Sequence, residues 1–144
     1  MNVGRFLGAV VGVWVVRVLC NYVWYGMVMS GHFEALAAEY PGVFREVIPG
    51  FIATDLVFAL IFVYLWTKVG ACFGGGIKGG VIGGAWFGIL FGVVWNLYYF
   101  FGFTFMTATD VVIDAVYVII TIAIQGAIAA AIYKIPEVVP VRAA

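Results

Sequence analysis

Four long apolar stretches, separated by short polar ones, set the pattern of this chain. They cover about 3–29, 51–66, 79–101 and 111–132. Segments this long and apolar predict transmembrane helices, since a helix crosses a bilayer in about 20 residues. Pro49-Gly50 opens the second stretch, and Lys134 and Pro136 close the fourth. Between the first two lies 30–48, SGHFEALAAEYPGVFREVI, where Phe33, Leu36, Ala37 and Tyr40 recur at helical spacing until Pro41-Gly42 breaks the pattern. This predicts a short amphipathic helix lying on the outer membrane face. Ala35-Leu36-Ala37 resembles a signal-peptide cleavage site, but the first stretch exceeds the ~7–15 apolar residues of a signal core. Arg17 also interrupts it. The expected fold is an all-α integral membrane protein, a four-transmembrane-helix bundle forming a single domain over residues 1–144.

The halves resemble each other. Ala53-Thr54-Asp55-Leu56-Val57 recurs as Ala108-Thr109-Asp110-Val111-Val112, and Phe62-Val63 as Tyr117-Val118. Gly4, Gly8 and Gly12 echo Gly80, Gly84 and Gly88, and Asn21 echoes Asn96. Two related helical hairpins, with 30–48 inserted in the first copy, explain these matches. Two spans per unit would make the repeats parallel, related by an axis along the membrane normal.

The third span carries glycine on every fourth position, at Gly76, Gly80, Gly84, Gly88 and Gly92, and the next step on that face is Asn96. Such a ridge lets a neighbouring helix approach closely in lipid. Beyond Asn96 the span turns bulky, with Tyr98, Tyr99, Phe100 and Phe101. The slim halves of spans one and three should therefore pack tightest. The aromatic halves should splay into a tapered crevice lined by Arg17, Asn21, Asp55, Asn96 and Asp114. On the first span the glycine face lies nearly opposite Arg17 and Asn21. If Arg17 faces the bundle interior, the glycines face outward and predict a homodimer or a larger membrane complex.

Composition sharpens the class. Only 10% of residues are charged, against about 25% in soluble domains. Net charge is zero and no basic block occurs, so nucleic acid is not an expected partner; membrane lipid is. Arg5, Lys68, Lys78, Lys134 and Arg142 fall on one side of the predicted topology, with Arg45 alone on the other. That bias predicts cytoplasmic termini in a bacterial inner membrane. The two cysteines, Cys20 and Cys72, lie at different depths and are not expected to pair.

The candidate chemistry is sparse. Arg17 stands near the middle of its span, where an arginine costs about 2.5–3.5 kcal/mol and needs a partner. Asp114, one turn inside the fourth span, is the leading candidate and Asp55 the second. Asp110, Asp114, Tyr117, Thr121 and Gln125 share one face of the fourth span. With Arg17, Asn21 and Asn96 they predict an internal polar network, read either as a hydrogen-bonded register or as a solute or ion site. Asp55 and Asp110 each follow a threonine at the start of a span, as helix caps do. Met27, Met29 and His32 offer thioether and imidazole groups suited to copper(I). Their spacing favours lipid-facing methionines and an interfacial histidine, so no metal or cofactor is expected. One histidine in the chain excludes bis-histidine haem and leaves little for a zinc enzyme. Gly74-Gly75-Gly76 followed by Lys78 lacks the order of a phosphate-binding loop and reads as a tight turn.

The chain looks like small four-span bacterial inner-membrane proteins. Gly8, Gly12 and Arg17 resemble the first span of dual-topology fluoride channels, but the one-sided basic bias and the third span depart from that family. The first span also lacks the central glutamate of small multidrug transporters. No functional residue carries over from either. No nucleophile–base pair is present, so the expected role is a non-enzymatic structural or accessory interaction subunit. The alternative is a dimeric carrier or channel for a small solute or ion.

Overall fold

A computed structural model describes residues 2–42 and 48–135. Five α-helices follow one another: α1 Val3–Val23, α2 Ser30–Glu39, α3 Ile48–Val69, α4 Gly76–Gly102 and α5 Ala108–Ile132. A π-helical turn, Trp24–Val28, prolongs α1, and a 3-10 turn, Gly70–Phe73, prolongs α3. No strand occurs among the described residues. Four of these helices, all but α2, are long and apolar enough to cross a membrane. Part of the predicted 30–48 segment (43–47, with Arg45) and Arg142 lie outside the described residues.

Local chemistry sets the helix ends. The Asn2 side chain caps α1 by accepting from Arg5 N at 3.0 Å. Thr107 and Asp110 form a reciprocal capping box at the start of α5, as expected for Asp110. Asp55 does not cap a helix, because α3 begins at Ile48 and places Asp55 two turns inside. Pro49 occupies the first turn of α3, where its missing N–H has no partner to lose, so Pro49-Gly50 begins the helix rather than preceding it. Gly74, Gly75 and Gly76 turn the chain into α4 with φ of 92°, 68° and 59°, a left-handed run that side chains resist.

The packing centres on α5, which meets α4, α1 and α3. Its closest partner is α4. A methyl group added at Gly88 would lie 2.6 Å from Ile119 Cα, and additions at Gly80 and Gly84 would meet the carbonyl oxygens of Gly126 and Ile122. The α4 ridge thus touches the backbone of α5, so the close packing expected of span three is made with span four. On α1, Gly12 faces the Ile132 and Ile128 side chains and Gly8 faces Ile132, while Gly4 touches only Asn2. Gly4 and Gly8 are exposed, as expected, and Gly12 is half-buried against α5. Gly12 and Arg17 stand roughly 140° apart on a helix of 3.6 residues per turn. Because α1 is wedged between α3 and α5, its buried face is wide enough to hold both.

The dry core draws Ala9, Val10 and Val13 from α1, Ala59, Phe62, Val63 and Trp66 from α3, and Ile122, Ala129 and Ala130 from α5. It fills the half of the bundle nearer Val3 and Ile132. The opposite half, which carries α2 and the α4–α5 connection, holds the polar side chains. There α2 folds against the bundle: Phe33 meets Tyr25 at 6.0 Å and Tyr40 meets Phe105 at 6.2 Å between ring centroids.

Candidate functional site

Arg17 lies 14 residues beyond the start of α1, roughly 21 Å along the helix. Its Nε donates to Asp55 Oδ1 at 2.7 Å, and its guanidinium lies 3.9 Å from the centroid of the Phe58 ring. The sequence pointed first to Asp114 as its partner; the partner is Asp55. The flank of α1 bearing Arg17 faces α3, and α3 brings both Asp55 and Phe58 to it. Asn21, one turn on from Arg17, donates its amide to both Asp55 oxygens at 3.1 Å. A half-buried arginine therefore meets one opposite charge and one aromatic face, which offsets the cost of removing it from water.

Asn21 also passes the network on to α5, because its Oδ1 accepts from the Tyr117 hydroxyl at 2.8 Å. Trp24 stacks on the Tyr117 ring at 4.6 Å, and Tyr25 meets its edge at 5.5 Å. Beyond that aromatic bridge lies the second carboxylate. Asp114 Oδ1 accepts from the Tyr25 hydroxyl at 2.6 Å, and Oδ2 accepts from Asn96 Nδ2 at 2.8 Å. The same Asn96 nitrogen donates to Gly92 O at 2.7 Å.

Each donor reaches Asp114 through a local feature of the chain. Asn96 is short, and it reaches across to α5 because the glycine ridge below it lets the two backbones approach. Tyr25 sits in the π-helical turn, where Met29 N bonds Trp24 O at 2.8 Å instead of a carbonyl four residues back. Such single π turns often mark functional positions. At the rim, His32 Nε2 lies 3.4 Å from Asp110 Oδ1.

The structure thus joins Arg17, Asn21 and Asp55 in one cluster and Asn96 and Asp114 in another. It leaves Thr121 and Gln125 out of both. The Thr121 hydroxyl donates back to its own helix, at Tyr117 O, 2.9 Å away. Gln125 is 1% exposed and its Oε1 has no hydrogen-bond partner among the described residues. The buried Trp66 Nε1 shares that condition. Within each cluster the polar side chains bond one another. The two best-formed concavities, of about 470 and 350 Å³, are walled by Val94, Leu97, Tyr98, Phe101 and Gly102 and by Trp24, Tyr117 and apolar residues of α5.

Met27 is exposed, Met29 half-buried and His32 turned to Asp110. Among the described residues, no three His, Cys, Asp or Glu side chains group closely enough to hold a metal. Cys20 and Cys72 are both free. Tyr25 is the residue that sequence reasoning passed over. It continues the series Arg17, Asn21 at four-residue spacing, but a tyrosine near a span end also reads as an interfacial anchor. The chain matches no protein-family model, no curated protein and no solved structure, so its function is argued from this site and the surface around it.

Proposed function

We propose that this protein is a structural or accessory subunit of the membrane that works through helix–helix contacts, as a homo-oligomer or within a larger complex. The observation that carries this reading is the inward turning of its chemistry. Arg17, Asn21, Asp55, Asn96 and Asp114 bond one another, and what the spans turn outward is largely apolar. Hydrogen bonds between membrane helices fix register and are worth about 0.6 kcal/mol each on average, which suits a scaffold. The outward face of α4 is the contact surface in this reading, with Trp95, Tyr98 and Phe101 exposed by 61, 75 and 82%. We place the protein in a bacterial inner membrane with both termini cytoplasmic, on the strength of its basic residues. The two hairpins are read as copies of one ancestral unit, supported by the recurring Ala-Thr-Asp motif.

Cross-linking in native membranes, followed by isolation in a mild detergent, tests the role. A stoichiometric partner, of this or another sequence, is the expected result. A monomer with nothing attached overturns it. A second reading, a carrier or channel for an ion, draws on one observation: Asp114 is bonded by neutral donors only. Flux into proteoliposomes that disappears in Asp114→Asn would favour that reading instead.

A further inference from the structure

We propose that Asp114 is a reversible proton-binding site, with the proton held on Oδ1, on the side of Tyr25. This needs neither role above, since it concerns proton binding and not transport. Ionisable side chains inside membrane spans pair with an opposite charge or serve proton and ion chemistry. Among the described residues the ion pairs are Arg17–Asp55 and His32–Asp110, so Asp55 follows the first course and Asp114 is left for the second.

The donors around Asp114 also choose the ligand. A metal cation needs oxygen lone pairs turned inward, whereas Asp114 receives an O–H from Tyr25 and an N–H from Asn96. The Asn96 amide cannot reverse without setting its oxygen against Gly92 O, to which its nitrogen already donates. Oδ2 therefore always meets a donor, and Asn96 offers a hydrogen on that oxygen no acceptor. Oδ1 differs, because a tyrosine hydroxyl both donates and accepts. When a proton from the aqueous phase bonds to Oδ1, the Tyr25 hydroxyl turns its own hydrogen away and accepts the new O–H. Oδ2 becomes the carbonyl oxygen and keeps the bond from Asn96. Release runs the same steps backward, and no other group is consumed.

The titratable and charged groups facing the site can be named helix by helix. α1 contributes Tyr25 and, deeper, Arg17, already paired with Asp55 of α3. α5 contributes Tyr117 and, one turn outward, Asp110, beside which stands His32 of α2. α4 presents Asn96, which does not titrate.

Infrared difference spectra of the protein in lipid vesicles, between alkaline and acid pH, read the carboxyl directly. The expected result is a protonated-carboxyl C=O band that Asp114→Asn lacks and Asp110→Asn keeps. That band should move to higher frequency in Asn96→Ala, which removes the hydrogen bond to the carbonyl oxygen. In Tyr25→Phe the band should remain and its frequency should change, because the carboxyl O–H loses its acceptor. A difference spectrum unchanged by Asp114→Asn overturns the proposal. Should that variant fail to fold, a band indifferent to both Asn96→Ala and Tyr25→Phe overturns it equally.

Discussion

Asp55 and Asp114 sit at similar depths, seven and six residues into α3 and α5, yet the bundle holds them in opposite ways. Asp55 receives a guanidinium and an amide; Asp114 receives a phenol and an amide. Neither difference originates in the helix that carries the carboxylate. Arg17 reaches Asp55 because α1 is wedged between two neighbours and turns that flank to α3. Asn96 reaches Asp114 because glycines on α4 remove the bulk that would hold α5 away. The surroundings of a charged group in lipid follow from which helix is its neighbour, and small residues decide how close that neighbour comes.

The seam offers the largest way to break one site and spare the other. Gly84→Leu places a side chain against the carbonyl of Ile122, and two backbones in contact cannot yield as side chains do. The loss should exceed the roughly 1–3 kcal/mol usual for overpacking, read by denaturant unfolding in detergent. Cross-linking between cysteines introduced on α1 and α3 should survive, since the Asp55 site does not use α4. Gly4→Leu, which meets only Asn2, should change nothing.

Asp55→Asn attacks the other site. It leaves Arg17 without a counter-charge, at an expected cost of about 3–5 kcal/mol. Adding Arg17→Met should recover much of that stability, because the unpaired charge is then gone. The smallest effect belongs to the bridge between the sites. Tyr117→Phe removes one bond to Asn21 and should cost about 0.6 kcal/mol, with the Trp24 stack retained.

The spans were legible because lipid demands long apolar runs, and Thr107 to Asp110 read as a cap because capping is local. The glycine ridge on α4 was legible as a close-packing face; its partner was not. Periodicity shows which residues share a face and is silent on which helix that face meets. The same gap misdirected Arg17 to Asp114, since Asp55 follows a threonine and read as a helix cap. The start of α3 was hidden by Pro49, which can precede a helix or occupy its first turn. Tyr25 was hidden by the π turn, which no residue pattern announces.

The pairing of Arg17 is the claim on which the two sites divide, and double-mutant cycles measure it directly. Arg17→Met is combined with Asp55→Asn in one cycle and with Asp114→Asn in the other, with unfolding free energies read in the same detergent. Contacting charged residues couple by about 0.5–3 kcal/mol, while independent sites add to within about 0.3–0.5. A strong coupling between Arg17 and Asp55, with near-additive behaviour between Arg17 and Asp114, is the predicted result. A stronger coupling of Arg17 to Asp114 than to Asp55 would contradict it.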